Sequence, residues 1–275
     1  MAGFMFYLVS LFRGRRPSKH LVPIPSVCHL VLTSDDVRDR PVFVVGDVHG
    51  CVDELMDLAE KAQEIHDNTL FVFVGDLVNK GPFNKAVLDF VRSLDHYAVR
   101  GNHDDAVLRQ CLDYRTNPSR QLPASYHWVT CFTDSDVEYL AELPYSIEIP
   151  SLKTIVVHAG LVPGVPLHEQ DLTHVTHMRN VITQDTFFGP KMIPSEDSNE
   201  GVSWATTWRG PEHVYFGHDA RRGLQKYTFA TGLDTGCLYG KLLTGMFINK
   251  NQEMIQIKAH DAYVVVPGQW TSKMP

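Results

Sequence analysis

Residues with the chemistry of metal ligands occur in five short segments, each of which follows an apolar run. The segments are 46–50 (Gly-Asp-Val-His-Gly), 75–82 (Gly-Asp-Leu-Val-Asn-Lys-Gly-Pro), 101–104 (Gly-Asn-His-Asp), 158–160 (His-Ala-Gly) and 217–220 (Gly-His-Asp-Ala). Carboxylate, imidazole and amide groups together suit divalent ions such as Mn²⁺, Fe²⁺ and Zn²⁺. Any one segment alone is more simply explained as a turn or a buried histidine. Five in succession predict one shared metal site. A carboxylate such as Asp76 can bridge two metals, and a bridged pair stabilises both the attacking and the leaving oxygen of a displacement.

The apolar runs between these segments alternate with stretches of helical spacing. Strands are predicted at 41–46, 70–74 and 97–99, and helices at 51–66, 84–94 and from 104 to 112. The resulting β-α-β-α-β-α order is typical of a parallel sheet with crossover helices. Ligands bind beyond the carboxyl ends of the strands in such sheets. The polar segments are therefore expected to converge at one edge.

The sequence after residue 112 indicates a different order of secondary-structure elements. Residues 113–144 are predicted to be an insertion over the sheet, with short helices on both sides of Thr133. Residues 161–202 contain four prolines and are predicted to be a long loop. Further strands are predicted at 154–157, 214–216, 226–229, 242–248, 253–258 and 262–266. Parallel units followed by strands indicate two sheets packed face to face, with helices outside.

Composition excludes several classes of protein. A formal net charge of −7 argues against a general nucleic-acid coat protein, although a local positive patch remains compatible with it. The five cysteines are scattered and odd in number, so neither a disulfide scaffold nor a zinc ribbon is expected. A reducing, intracellular compartment fits this cysteine usage.

The N-terminal 40 residues are predicted to be a leader preceding a domain at 41–275. Residues 4–12 are apolar apart from Ser10, far short of the roughly 20 residues that span a membrane. Four basic residues follow between positions 13 and 19, and the first acidic residue is Asp35. This composition suits a mitochondrial presequence. A disordered or surface-packed leader on a cytoplasmic protein is the alternative, and no membrane span is expected elsewhere.

In this order, the five segments resemble the calcineurin-like metallophosphoesterases, and more narrowly the phosphoprotein-phosphatase superfamily. The resemblance covers residues 41 to about 250. It implies an α/β fold, a four-layer α/β/β/α sandwich, with two divalent metal ions at the strand ends; Mn²⁺ is expected, with Fe²⁺, Zn²⁺ and Co²⁺ open. The resemblance implies that the first metal is bound by Asp47, His49 and Asp76. It implies that the second is bound by Asp76, Asn102, His158 and His218. His103 would donate a proton to the leaving group.

Several further stretches resemble the bacterial symmetrical diadenosine tetraphosphatases (ApaH). They are 233–240 (Leu-Asp-Thr-Gly-Cys-Leu-Tyr-Gly), 242–244, 214–218, Trp204, Trp208 and Met178-Arg179. Segments 75–82 and 217–220 resemble the eukaryotic ApaH-like phosphatases. The implied substrates are dinucleoside polyphosphates, related nucleotides or capped RNA. A Ser/Thr phosphoprotein phosphatase and an inactive binding module on the same fold remain alternatives.

The chain departs from the protein phosphatases at Asn79-Lys80, where those enzymes have Asp-Arg. Their aspartate pairs with the histidine that corresponds to His103, and Asn79 cannot carry that charge. A phosphate leaving group has its last pKa near 6, so it needs less help from an acid than an alkoxide does. Lys80 can still bind phosphate, as a point charge. The predicted phosphate contacts are Lys80, Arg179, Arg221 and Arg222, and Tyr239 is either a base-stacking or a core residue.

Overall fold

The computed structural model describes residues 22–119, 121–187 and 189–265. The α-helices in this part are α1 (Ser34–Val37), α2 (Val52–Ile65), α3 (Asn84–Ser93), α4 (Asn102–Thr116), α5 (Asp134–Glu142), α6 (Leu172–His177) and α7 (Trp204–Thr207). The strands are β1 (His29–Val31), β2 (Val42–Val45), β3 (Leu70–Phe73), β4 (His96–Ala98), β5 (Ser146–Ile149), β6 (Thr154–Val157), β7 (Asn180–Thr186), β8 (Gly189–Ser195), β9 (Val202–Ser203), β10 (His213–Phe216), β11 (Gln225–Lys226), β12 (Ala230–Gly232), β13 (Leu242–Phe247) and β14 (Met254–Lys258). Short 3₁₀ helices cover Ala124–Cys131, Pro150–Leu152 and Leu167–Glu169.

A five-stranded sheet in the order β14-β13-β2-β3-β4 carries the first three polar segments. β2, β3 and β4 are parallel and are connected through α2 and α3, as the sequence pattern predicted. All residues of β2 and β3 are buried, because both faces of the sheet are covered. The carboxyl ends of these three strands therefore meet at one edge.

A six-stranded sheet in the order β1-β5-β6-β10-β12-β11 carries the remaining segments, and β6, β10 and β12 are parallel neighbours. β1 pairs with β5, and Thr33 caps α1 by accepting a hydrogen bond from the Asp36 backbone N–H. Regular structure therefore begins before residue 41, within the predicted leader. Pro23 and Pro25 prevent a helix but do not prevent a three-residue edge strand.

Apolar side chains form three cores that define four layers. Val42 and Val44 of one sheet pack with Val156 of the other between the two sheets. Phe43 and Val45 point to the opposite face, where they pack with the apolar side of α2. The outer face of the six-stranded sheet packs with residues of α6 and α7. The predicted α/β/β/α sandwich is confirmed.

Residues 161–202 are more ordered than predicted. They contain α6 and a three-stranded sheet in the order β8-β7-β9. The prediction of a long loop is wrong because Pro190 and Pro194 lie in β8, an edge strand, where a missing backbone N–H is tolerated. The insertion at 113–144 has the predicted short helices on both sides of Thr133.

Two predicted strands near the C-terminus are also corrected. Of the strand predicted at 226–229, only Lys226 lies in a strand, β11, and residues 227–229 connect β11 to β12. Within the described part of 262–266, the predicted strand is a single bridge between Ala262 and Tyr239. Both stretches are short, and short apolar runs fix strand limits poorly.

The predicted leader covers residues 1–40, and of these residues 1–21 lie outside the described residues. Among the helices that are described, none combines the length and the apolar character needed to cross a bilayer. The five cysteines are free thiols, in agreement with the predicted absence of a disulfide scaffold.

Buried Arg100 anchors the turn that precedes α4. Its Nε lies 3.2 Å from Asp105 Oδ1, and its Nη2 donates to Tyr145 Oη (2.9 Å) and to the carbonyl oxygen of Pro23 (3.1 Å). The guanidinium carbon lies 4.6 Å from the centre of the Tyr145 ring. Because Asn102 and His103 lie between the two ends of this ion pair, Arg100 fixes the backbone that presents them.

Replacing Arg100 by methionine should lower the free energy of unfolding by roughly 3–5 kcal/mol, because the buried Asp105 carboxylate would lose its ion pair with the Arg100 guanidinium. Urea denaturation of the purified variant measures this loss. Arg209→Met is the control, since Arg209 is exposed and donates only to the Thr206 carbonyl in the described structure; it should change stability by less than about 0.5 kcal/mol. Equal losses in both variants would contradict the anchoring role.

Candidate metal centre

The predicted ligands lie where strands of both sheets end. Asp47 and His49 follow β2, Asp76 follows β3, Asn102 follows β4, His158 follows β6 and His218 follows β10. The two sheets thus contribute opposite walls of one site. The convergence expected from the sequence is present in the structure.

Unusual backbone geometry brings these side chains close together. His49, Asp76 and His218 have φ values of 48°, 49° and 68°, in the left-handed region that costs a non-glycine residue about 1–3 kcal/mol. A Cβ on Gly101 would lie 2.1 Å from Asp76 Oδ1, and one on Gly217 would lie 1.9 Å from Asp47 Oδ1. Only glycine permits this approach of backbone to carboxylate.

Asp47, His49 and Asp76 form a first group of acceptors. One ligand atom from each lies within 4.8 Å of the others. His49 Nε2 is 3.9 Å from Asp47 Oδ2 and 3.4 Å from Asp76 Oδ2. This group can hold one metal ion.

A second group lies on the other side of Asp76. His158 Nε2 is 3.4 Å from Asp76 Oδ1 and 2.9 Å from Asn102 Oδ1, and His218 Nδ1 is 3.1 Å from the same amide oxygen. Asp76 therefore faces His49 with one oxygen and His158 with the other. That is the placement a bridging carboxylate needs.

The hydrogen bonds of the two histidines test whether a cation fits. His158 Nδ1 lies 2.9 Å from the Val74 carbonyl oxygen, and His218 Nε2 lies 3.0 Å from the His177 carbonyl oxygen. A carbonyl accepts only, so each of these nitrogens carries the ring hydrogen and the other nitrogen presents a lone pair. Those lone pairs point at the Asn102 oxygen, itself an acceptor. Converging acceptors at 2.9–3.1 Å are relieved by a cation between them.

The pKa values of the buried carboxylates and histidines also indicate a cation site. Burial, together with Asp234 and Asp76, raises the pKa of Asp47 well above its ordinary value. Burial raises the pKa of Asp76 to about 7, although the His103 backbone N–H and Lys80 oppose this shift. Burial lowers the pKa of His158 to about 3, so this imidazole is neutral and free to bind metal. The residues fit divalent cations, which would compensate the clustered carboxylates.

His103 lies beside this centre. Its backbone N–H donates to Asp76 Oδ1 (2.9 Å), and its Nδ1 lies 2.9 Å from Asn79 Nδ2. Burial and, next, Lys80 lower the pKa of His103 to about 3. The contact between position 79 and this histidine is therefore present, with an amide in place of the carboxylate.

A cavity of ≈ 540 Å³ opens over the metal centre. Its wall includes Lys80, Arg179, Arg221 and Lys241, together with Tyr239. Three of the four predicted phosphate contacts thus face the cavity, and Lys241 is a fourth basic residue that the sequence did not single out.

Arg222, the remaining predicted phosphate contact, is engaged elsewhere. Its guanidinium pairs with Asp219, and Nη2 donates to Asn180 Oδ1 (2.7 Å) and to the Ser198 carbonyl oxygen (3.3 Å). Among the described residues, Arg222 is not part of the cavity wall. The structure assigns it a structural contact, although Arg221 and Arg222 both donate to Ser198.

Sequence reasoning missed Asp234, whose carboxylate lies at the cavity beside the first group. Asp234 follows β12 by two residues, so it belongs to the same pattern of polar residues after strands. The signal was hidden because the strand was predicted at 226–229, too early in the chain. Trp204 was noted only for its resemblance; its Nε1 donates to the Ala159 carbonyl oxygen (3.0 Å) and supports the His158 loop.

Comparison with known proteins agrees with this geometry. Residues 40–236 match the model of the calcineurin-like phosphoesterases. The chain is 27% identical to the zinc-dependent endopolyphosphatase of Saccharomyces cerevisiae, over 88% of each protein. It is 28% identical to the symmetrical bis(5'-nucleosyl)-tetraphosphatase of Coxiella burnetii, over 81% of this chain and 93% of that protein. A crystal structure of a protein provisionally named a diadenosine tetraphosphatase matches with a TM-score of 0.73 and 35% identity, covering 85% of this chain and 98% of that one. The chain belongs to the calcineurin-like phosphoesterase family, whose members are metal-dependent hydrolases, and the resemblance seen in the sequence is confirmed.

Asp234→Asn should stabilise the metal-free protein at alkaline pH. Burial raises the pKa of Asp234 from 3.8 to about 7, so the stability linked to this group is present below about pH 4 and is lost as the pH rises through 7. In EDTA at pH 8 the variant should unfold about 4–8 °C above the wild type, which corresponds to on the order of 2 kcal/mol. At pH 5 the difference should be about a third of that at pH 8, because the loss begins near pH 4 and is complete near pH 7.

Thermal unfolding at both pH values measures this effect. Glu60→Gln, at an exposed position of α2, is the control. Its melting temperature should stay close to that of the wild type at both pH values. A lower melting temperature for Asp234→Asn at pH 8 would mean that the Asp234 carboxylate is stabilising even without metal.

Proposed function

We propose that this calcineurin-like phosphoesterase hydrolyses phosphoanhydride bonds in dinucleoside polyphosphates, and converts diadenosine tetraphosphate to ADP. The observation that carries the proposal is the cavity itself, in which the metal-binding groups face four basic side chains. A monoester offers one phosphate to such a wall, whereas a polyphosphate chain offers several. The tetraphosphatase names of two similar proteins support the same substrate class.

Two divalent ions are assigned to the two groups of acceptors, with Mn²⁺ as the expected metal. Asp47, His49 and Asp76 would hold the first ion. Asp76, Asn102, His158 and His218 would hold the second. When bound, the ions would supply Lewis-acid polarisation of the phosphoryl group and of the attacking water.

The basic wall would hold the phosphate chain. Arg179 and Arg221 can each bind a phosphate through two parallel N–H donors, and Lys80 and Lys241 act as point charges. Arg179 is held in place because its Nη1 donates to the Glu196 carbonyl oxygen (3.2 Å). Tyr239, on the same wall, offers a ring on which a base can stack.

His103 would donate its N–H to the oxygen of the leaving group. The cavity gives this imidazole access to substrate, and its contact with Asp76 keeps it beside the reacting phosphorus. A nucleoside diphosphate leaving group is stable as an anion at neutral pH. A hydrogen bond from a neutral imidazole therefore suffices where an alkoxide would need a full proton.

A second candidate substrate is inorganic polyphosphate. The basic wall contacts phosphates and would not require a nucleoside. The similarity to the yeast endopolyphosphatase extends over 88% of the chain. Capped RNA has the same kind of phosphoanhydride bond and stays a candidate for the same reason.

Product analysis by anion-exchange chromatography tests the function. The Mn²⁺-loaded protein is given diadenosine tetraphosphate, a capped RNA oligonucleotide, inorganic polyphosphate and a phosphoserine peptide in parallel. ADP as the sole nucleotide product is the expected result.

Asp76→Asn, which removes the bridging charge, should lose at least about 100-fold in rate. Release of phosphate from the peptide alone would identify a protein phosphatase, and cleavage of polyphosphate alone would assign the second candidate. If none of the substrates is cleaved, the hypothesis that remains is an inactive binding module.

Asn79→Asp should raise hydrolysis of a phosphate monoester relative to the anhydride by at least about ten-fold. A carboxylate at position 79 would stabilise protonated His103 and so supply the proton that an alkoxide leaving group needs. The ratio of the two kcat/KM values measures this change. Asn117→Asp, at an exposed position after α4, is the control and should leave the ratio as it is. An unchanged ratio in Asn79→Asp would show that position 79 does not select the leaving group.

A further inference from the structure

A chain of hydrogen bonds joins the insertion over the sheet to His103. Asn79 Nδ2 lies 3.1 Å from Tyr126 Oη and 2.9 Å from His103 Nδ1. On its other side, Asn79 Oδ1 accepts the Lys80 backbone N–H at 2.9 Å. Tyr126 lies in the 3₁₀ helix Ala124–Cys131, outside the five polar segments.

The Lys80 N–H fixes the orientation of the Asn79 amide. A backbone N–H only donates, so the atom that faces it must be the amide oxygen. The opposite orientation would place the NH₂ group against this N–H and leave two donors facing each other. The two hydrogens of Nδ2 therefore point to Tyr126 and to His103.

The amide in turn fixes the hydrogen of the imidazole. Since Asn79 Nδ2 donates to His103 Nδ1, this ring nitrogen must be the acceptor, and the ring hydrogen is on Nε2. We propose that Tyr126 and Asn79 hold His103 in the Nε2–H tautomer, which makes Tyr126 a positioning residue for the proposed reaction. The role of Tyr126 in the reaction rests on the proposed function. The tautomer of His103 does not depend on which substrate is cleaved.

The surroundings keep both partners in place. The Tyr126 ring stacks on Trp128, with centroids 6.4 Å apart and planes at 26°, and the Trp128 indole N–H donates to the Ser125 carbonyl oxygen. The Asn79 backbone N–H donates to Asn84 Oδ1 (2.8 Å), which fixes the loop from the other direction. The amide is therefore held between an aromatic stack and a closed turn.

The tautomer has a consequence for substrate choice. A carboxylate at position 79 would accept from Nδ1–H, and a neutral imidazole would then face the substrate with a lone pair on Nε2. Asn79 reverses this arrangement and gives the cavity a neutral N–H donor. Such a donor hydrogen-bonds to a phosphate leaving group without having to release its proton. Tyr126 and Asn79 thus act together as determinants of anhydride specificity.

Long-range ¹H–¹⁵N NMR on the ¹⁵N-histidine-labelled, zinc-loaded protein tests the tautomer directly, since closed-shell Zn²⁺ does not broaden the signals. The His103 signals are assigned by their loss in His103→Gln. The expected result is a hydrogen on Nε2 and none on Nδ1 in the wild type, and a hydrogen on Nδ1 in Asn79→Asp whether or not that ring is also protonated at Nε2. A hydrogen on Nδ1 in the wild type would overturn the proposal. Because no substrate is present, this result is separate from the outcome of the product assay.

Tyr126→Phe removes the hydroxyl acceptor but keeps the ring on Trp128. Its kcat for the anhydride should fall about five-fold with little change in KM, and an Nδ1–H population of His103 should become visible. Tyr114→Phe, which removes a hydroxyl from the same helix as His103, is the control and should alter neither readout. If Tyr126→Phe behaves like this control, or lowers kcat without changing which nitrogen of His103 carries the hydrogen, Tyr126 is not a positioning residue.

Discussion

Crowding of hydrogen-bond acceptors at the strand ends is the constraint on which the rest of the structure depends. His158 and His218 give their ring hydrogens to backbone carbonyls and turn their lone pairs toward the Asn102 oxygen. Asp47, Asp76 and Asp234 add carboxylates whose pKa values are raised because they are buried together. A fold that brings these groups together without cations is destabilised at neutral pH. Divalent ions bound between these groups would replace the repulsion among acceptors by attraction to the cations. Metal binding would therefore also stabilise the fold.

The surrounding structure keeps these acceptors from separating. Parallel strands of two packed sheets end at the same edge, and glycines at 101 and 217 bring backbone against carboxylate. Asp104 accepts the Gly101 N–H (2.9 Å) and the Val78 N–H (3.2 Å), and so joins the loops after β3 and β4. Arg100 ties the same turn to Tyr145, directly before β5. Left-handed backbone at His49, Asp76 and His218 is sustained because the strands before them are buried, β2 and β3 fully and β10 except at its first residue.

The sequence predicted those parts of the molecule that local rules determine. β2 to β4 and their helices were predictable because buried strands and amphipathic helices have distinct periods, and the loops after the strands follow from topology. The hairpin within 161–202 was not predictable, since its prolines are tolerated only because β8 lies at an edge. Asp234 and Arg222 depended on tertiary detail. The strand before Asp234 begins four residues later than predicted, and the guanidinium of Arg222 pairs with Asp219 instead of facing the cavity. Tyr126 has no local signal, because its contact with Asn79 spans 47 residues.

The proposed determinants of substrate choice are separate from the six proposed metal ligands. Each ligand follows a strand, and changing any of them would remove a group that the proposed chemistry needs. Asn79, Lys80 and Tyr126 instead lie in a turn and in an insertion, where side chains can change at little cost to the core. Asn79 replaces a charge by an amide without losing the contact with His103, because Lys80 N–H and Tyr126 Oη satisfy the rest of that amide. A neutral donor at this point favours leaving groups that are already stable anions. In the proposed function, the ligand set holds the metals, and the loop with Asn79 supplies the neutral donor that suits an anhydride.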